Sequence, residues 1–171
     1  MNLVSEFERV FEIMSSSFPE IEYRTKEGQR ELLQHPEYRL ITEVDETGRL
    51  IAFLAVWEFQ DFRFIEHLAV DRSVRGSGVG KRIMQKCMKE SDKPIILEVE
   101  LPDDELSRRR IQFYERLGFH LNEYSYEQPP LRAAQRKLPL NIMSHPRLLT
   151  EEEFLACKAL LYSKVYRVTD A

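Results

Sequence analysis

Seven residues, Arg75-Gly76-Ser77-Gly78-Val79-Gly80-Lys81, combine three glycines with two cations. Glycine has no Cβ, so the backbone N–H groups around it can approach a ligand closely. The apolar run Leu68-Ala69-Val70 precedes this loop. After it, Val79, Ile83, Cys87 and Met88 are spaced for one buried helix face. A helix N-terminus supplies unpaired N–H donors and the positive end of a dipole. Loop and helix together suit a phosphate or pyrophosphate. Two familiar phosphate loops do not fit. A Walker A loop needs Gly at 75 and a Mg²⁺-binding Ser or Thr at 82, and both positions are Arg. The dinucleotide fingerprint needs Gly at 76, 78 and 81, and residue 81 is Lys. What remains is Arg75-x-x-Gly78-x-Gly80, or else a glycine-rich turn that binds nothing.

Other residues could carry proton chemistry. Glu98 sits in Ile95-Ile96-Leu97-Glu98-Val99-Glu100, where a carboxylate is costly to bury without a partner. Glu100 shares its strand face by the period of two. Glu66 and His67 stand just before the glycine loop. Each acid could equally be structurally paired, and Arg72 and Arg82 read as solvent-facing charges. Arg108-Arg109-Arg110 reads as a solvated helix face or a further anion contact.

The surrounding pattern predicts the elements that must position these groups. A helix is expected over Val4–Met14, with Val4, Phe7, Val10, Phe11 and Met14 on one face, broken by Ser15-Ser16-Ser17-Phe18-Pro19. A second helix covers Lys26–Gln34. Strands over Tyr38–Val44, Leu50–Phe59 and Phe64–Val70 form an antiparallel meander that ends at the loop. A helix over 78–90, a strand over Ile95–Glu100 and a helix from Pro102 to Leu117 follow, with Gly118 as C-cap. Phe119 to about Tyr126 reads as a strand, and Lys137–Met143 as an edge strand because of Pro139. Thr150-Glu151-Glu152-Glu153 is a capping box for a last helix, with Phe154, Cys157, Leu161 and Val165 on one side.

The order of elements and two motifs resemble the GNAT N-acetyltransferases. The first motif is Arg75-x-x-Gly78-x-Gly80, similar to the acetyl-CoA pyrophosphate loop. The second is Arg110-Ile111-Gln112-Phe113-Tyr114-Glu115-Arg116-Leu117-Gly118-Phe119, a helix carrying Tyr just ahead of Leu-Gly-Phe. The resemblance covers residues 1–143. It implies an α/β (α+β) fold: a mixed, mostly antiparallel sheet with splayed central parallel strands, flanked by helices, plus a C-terminal helix. Residues 144–171 are then a helical extension packed on the same domain. The resemblance also implies that the pantetheine arm of acetyl-CoA lies along Leu68, Ala69 and Val70. The pyrophosphate would sit on Arg75, Gly76, Ser77, Gly78, Val79, Gly80 and Lys81, and no metal would take part.

Acyl transfer to an amine needs a free lone pair, and a lysine-like ammonium has a pKa of about 10.4, so a base is required. Glu98 resembles the position where some family members place theirs. Glu100, the Glu66/His67 pair and water remain alternatives. Tyr114 is the expected general acid for the leaving thiolate; the alternative is a core tyrosine packed beside Phe113 and Phe119. The amine would attack the thioester directly, within a ternary complex, and the oxyanion would take an N–H from 68–70. Loops 15–23, 60–63 and 128–131 would choose the acceptor, with Phe18, Tyr23, Tyr124 and Tyr126 as candidate walls. A module that holds acyl-CoA without turnover is the competing reading.

The 171 residues, with a net charge of −4, suit one soluble domain and argue against a nucleic-acid-binding face. Two cysteines without metal or disulfide spacing, and no signal peptide or membrane-length apolar run, make the cytoplasm the expected location. The acceptor is expected to be a small-molecule or peptide amine. The last helix must cover its apolar face against its own domain or against a second copy in a homodimer.

Overall fold

The computed structural model describes residues 3–168, with side chains from Glu6 onward. Val4, expected on the first helix's apolar face, lies outside the described side chains. The chain divides into two compact units between Ile95 and Ile96.

In the first unit, α1 (Leu3–Ser17) leads through a 3-10 turn (Glu20–Glu22) to α2 (Lys26–Leu32). Three strands follow: β1 (Tyr38–Val44), β2 (Leu50–Glu58) and β3 (Arg63–Val70). They form the expected antiparallel meander, with Leu40 opposite Ala55 and Leu54 opposite Leu68. A 3-10 turn (Arg72–Val74) and α3 (Val79–Lys89) complete the unit. Residues 50–57 of β2 are all buried, so both faces of that strand are covered. Helices α1 and α3 both pack on it. Phe7, Val10, Ile13 and Met14 are the inward side of α1.

Helix α1 stops within the expected breaking stretch, but at Ser17, ahead of Phe18-Pro19, and so runs three residues past Met14. The hydroxyls of Ser15 and Ser16 bond back to the carbonyls of Glu12 (3.2 Å) and Ile13 (3.0 Å), so these serines are accommodated inside the last turn. One feature of β3 has no signal in its own sequence. Ala55 pairs with His67 while Val56 pairs with Ile65, so Glu66 is an extra residue in the ladder. Such a bulge breaks the strict alternation of faces. Glu66 then meets Arg24 just ahead of α2, and His67 meets Glu22 and Phe18 between α1 and α2.

The second unit contains β4 (Ile95–Glu100), α4 (Glu105–Arg116), β5 (His120–Leu121), β6 (Tyr126–Gln128), β7 (Leu138–His145) and α5 (Glu151–Leu160). A π turn over Leu161–Val165 ends it. Strand β7 lies beside β4 on one side and pairs antiparallel with β5 and β6. It is therefore no edge strand. Pro139 is the second residue of the strand, exposed and opposite Glu127 of the short β6. The single strand expected from Phe119 to Tyr126 is two short ones. Buried Asn122 ends the first: its amide donates to the Ile142 carbonyl (3.1 Å) and the Ser144 hydroxyl (2.9 Å), and its oxygen accepts from Leu149 N–H (2.8 Å).

The C-terminal elements belong to this second unit. Thr150 and Glu153 form the expected capping box. Phe154, Leu161 and Val165 are buried and Cys157 half-buried. Phe154 stacks on Tyr124 with ring centroids 4.6 Å apart, so the helix packs on its own unit.

Candidate active site

The glycine loop has the form a phosphate ligand needs. Gly76 and Gly78 hold φ of 81° and 86°, the left-handed region where a Cβ is strained. Gly78 is the N-cap of α3, and the first turn of that helix contains no acidic residue. The first backbone bond of α3 runs from Arg82 N–H to Gly78 C=O (3.0 Å). The N–H groups of Gly76, Gly78, Val79, Gly80 and Lys81 take no acceptor among the described residues. Five backbone donors at one helix start fit a pyrophosphate well. Space fits too: a Cβ built at Gly76 or Gly78 would meet nothing within 4 Å.

The loop is fixed from below. Asp71 accepts from the N–H (2.8 Å) and hydroxyl (2.7 Å) of Ser73 and pairs with Arg9 of α1. The Ser73 bonds, with Arg9, hold the Asp71 carboxyl well below its ordinary range. Arg75 is exposed and reaches the Val70 carbonyl and the Ser17 hydroxyl only at 3.4 Å, which leaves it available. Lys81 is also exposed. Arg82 is exposed, as expected of a solvent-facing charge, and also pairs with Glu43 (3.2 Å).

The candidate bases separate clearly. Glu66 gives one oxygen to Arg24 (2.7 Å) and the other to the Trp57 indole N–H (2.8 Å), and its side chain is only 3% exposed. Burial raises its pKa, but Arg24, His67 and Trp57 outweigh that and leave it lowered. His67 is buried, with Nε2 2.8 Å from the Glu22 carbonyl. That bond makes Nε2 the protonated nitrogen. Burial holds His67 below the usual imidazole range. Glu100 pairs with Arg110 (2.7 Å).

Glu98 differs from all of these. Ile96, Leu97 and Val99 around it are buried, whereas Glu98 is half-buried. Its two oxygens accept from two phenols, Tyr126 on β6 and Tyr166 just after the π turn, the latter at 2.6 Å. Tyr126 was expected as a pocket wall, and its contact with Glu98 gives it a more specific place. Tyr166 was not anticipated at all. Its one sequence signal is Tyr162-x-x-x-Tyr166 on the capped helix, but an α-helical wheel puts residue 166 about 140° round from 161. The wider turn, closed by Tyr166 N–H to Leu161 C=O (3.0 Å), turns it inward.

Tyr114 lies on α4, half-buried, edge-on to Phe113 (5.1 Å) and Phe119 (5.8 Å). Burial pushes its phenol up to about 12, so it stays protonated at neutral pH. Its hydroxyl makes no hydrogen bond among the described residues. Gly118 explains the Leu-Gly-Phe motif: φ is 97°, and a Cβ would come within 3.2 Å of the His145 ring. The turn returns Phe119 N–H to the Tyr114 carbonyl (3.0 Å), which sets Phe119 against the phenol ring.

The other proposed acceptor walls are more ordinary. Phe18 packs on His67 (5.0 Å) and Tyr23 on Phe11 (5.9 Å). Tyr124 donates to the Leu149 carbonyl (2.8 Å). Arg63 is buried and donates to the Cys87 carbonyl (2.8 Å), which removes it from the acceptor loops. No cluster of metal-ligating side chains occurs among the described residues. No helix among them is long and apolar enough to cross a membrane.

Residues 7–119 match the model of the Acetyltransferase (GNAT) family. YjbC of Bacillus subtilis (strain 168), designated an acetyltransferase, is 31% identical over 163 residues, 94% of this chain and 82% of its own. A Bacteroides thetaiotaomicron protein designated an acetyltransferase of the GNAT family superposes with a TM-score of 0.88 at 34% identity, covering 97% of this chain and 94% of its own. The fold is also that of an aminoglycoside 6'-N-acetyltransferase solved with coenzyme A (TM-score 0.63, 20% identity, 84% of this chain and 91% of that one). The chain belongs to the acetyltransferase (GNAT) family and is an N-acetyltransferase that takes its acetyl group from acetyl-CoA.

Proposed function

We propose that the enzyme acetylates an amine by direct attack in a ternary complex, with Glu98 as base and Tyr114 as the donor to the leaving sulfur. Acetyl-CoA supplies the activated thioester. The loop N–H groups from Gly76 to Lys81, with Arg75 and Lys81, hold its pyrophosphate. Backbone groups of Leu68, Ala69 and Val70 hold the pantetheine arm, and one of their N–H groups stabilises the oxyanion.

Glu98 takes the proton that the amine must lose, directly or through a water. The C–N bond forms, the C–S bond breaks, and the thiolate departs beside Tyr114. A phenol near 12 exceeds a thiol-like pKa of about 8.5, so full transfer is uphill. Tyr114 therefore shares its proton with the sulfur and lowers the cost of the departing charge.

The observation that carries this reading is the partnering of Glu98 by two phenols. A phenol both donates and accepts, so it can turn round when the carboxylate gains a proton. The acceptor is a small-molecule or peptide amine. Neither Cys87 nor Cys157 is in a disulfide, which suits a reducing cytoplasm. The seating of α5 on its own unit favours a monomer over the homodimer.

The test is acetylation of a panel containing a polyamine, an aminoglycoside, free amino acids and short peptides, read as free CoA. With the best amine, Glu98→Gln and Tyr114→Phe should each lower kcat about 10²–10⁴-fold while acetyl-CoA still binds. An unchanged kcat in either variant removes that residue from the chemistry.

A further inference from the structure

We propose that Tyr166 is a positioning residue for Glu98, so that the C-terminal helix forms part of the catalytic apparatus. This rests on the reading of Glu98 as the base.

Three features surround the Tyr166 hydroxyl: the first seats the helix, and the second and third set where the phenol points. First, α5 is fixed at its start by the Thr150/Glu153 box, where Arg147 also grips Glu153 at 2.8 and 2.7 Å. Second, Leu161 and Val165 are 1% and 2% exposed, which seats the first and last residues of the turn in the core. Third, the π turn sets the direction of Tyr166, and Val168 N–H closes behind it on the Tyr162 carbonyl (2.8 Å). Wide turns of this kind frequently occur at functional sites, where they re-aim a side chain.

The phenol bonds Glu98 Oε1 while Tyr126 bonds Oε2. Two donors on two oxygens fix the plane of the carboxyl group. Tyr126 is itself buried and flanked by the rings of Phe154 (6.3 Å) and Tyr162 (6.2 Å), both from the C-terminal segment. So that segment supplies one donor to Glu98 and the walls of the other.

The same turn contains its own control. Tyr162 also donates a phenol hydrogen bond, but to the Glu127 backbone carbonyl. Loss of that hydroxyl removes a bond to the backbone and leaves the two phenol bonds of Glu98 in place.

The experiment compares Tyr166→Phe and Tyr162→Phe, each alone and with Glu98→Gln, using the best amine of the panel. A hydrogen bond to a charged group is worth about tenfold to a hundredfold. Tyr166→Phe should lower kcat by that factor with the KM for acetyl-CoA unchanged. In the Glu98→Gln background it should add little further loss. Tyr162→Phe should keep kcat near wild type. If Tyr166→Phe keeps full kcat while Glu98→Gln loses it, Tyr166 is a packing residue and the proposal fails, with the base reading intact. Equal further losses in the Glu98→Gln background would also overturn it. If Glu98→Gln itself keeps full kcat, the base reading fails and this proposal with it.

Discussion

Glu66 in the first unit and Glu98 in the second are both strand carboxylates with each oxygen hydrogen-bonded, yet they are built for different ends. Glu66 is held by a guanidinium and an indole N–H. Both groups only donate, so a protonated Glu66 would turn its own O–H toward donors. Arg24 is also permanently charged. Glu66 is thus fixed as an anion. Glu98 is held by two phenols. Each phenol can rotate from donor to acceptor, so neither is stranded when the carboxyl gains or loses a proton. Full satisfaction of a buried acid therefore does not decide whether it can act as a base; the reversibility of its partners does. By that criterion Glu66 is fixed in its charge state, and Glu98 is the acid suited to the proposed role of base.

The largest effect expected from this contrast is on stability. Arg24→Met strands the Glu66 carboxylate, 3% exposed, without its cation. Removing one partner of a buried pair costs about 3–5 kcal/mol. At about 2–4 °C per kcal/mol for this chain length, the melting temperature should fall on the order of 10 °C. Calorimetry reads it. A shift under about 2 °C would mean that Glu66 can protonate cheaply, and the contrast with Glu98 would collapse.

A smaller effect concerns pH. Burial depresses the folded-state pKa of His67, opposed by Glu66 and aided by Arg24. The unfolded chain then binds a proton more readily than the folded one. The stability this gives is fully present above the unfolded value of about 6.5 and is lost as pH falls toward the folded value. The slope is at most about 1.4 kcal/mol per pH unit. Glu66, also depressed in the fold, adds loss of the same sign below about 4.3. His67→Gln keeps a donor for the Glu22 carbonyl and removes the titration. Its melting temperature should stay flat from pH 7 to 5 while wild type declines. Parallel curves would show that His67 does not titrate on folding.

Much of the framework was readable in advance. Residues 38–44 and 95–100 are strands as their patterns required, and Gly118 caps α4. These features depend on local signals: alternation, a turn, a positive φ. The first motif was legible for the same reason, since Gly78 and the helix behind it lie in one stretch. The candidate site was legible only in halves. Glu98 and Tyr114 each carry a signal that makes them candidates, but nothing near either points to Tyr166. Its placement depends on one wide turn at the end of a helix. The bulge at Glu66 was hidden too, because register belongs to a pair of strands. Ser15-Ser16-Ser17 misled only about the last turn of α1: composition suggested an end at Met14, and hydroxyl back-bonding carried the helix to Ser17, ahead of Phe18-Pro19.

The smallest expected effect tests whether Glu98 depends on the whole of α5 or on its last turn. Thr150 accepts from Glu153 N–H (3.1 Å), while its own N–H reaches the Glu153 carboxylate (2.9 Å). Thr150→Ala removes the first bond and keeps the second. Loss of such a cap costs about 1 kcal/mol, so the melting temperature should fall by roughly 2–4 °C. Turnover well below that temperature should not change. Tyr166 is placed by Leu161, Val165 and the bond to the Leu161 carbonyl, all beyond the first turn of the helix. Arg24→Met and Thr150→Ala would then both weaken the fold and spare the rate of folded molecules, whereas Tyr166→Phe would do the reverse. Should Thr150→Ala lower kcat as far as Tyr166→Phe does, the two ends of α5 move together. The phenol at Glu98 would then report the seating of the entire helix, not the geometry of a single turn.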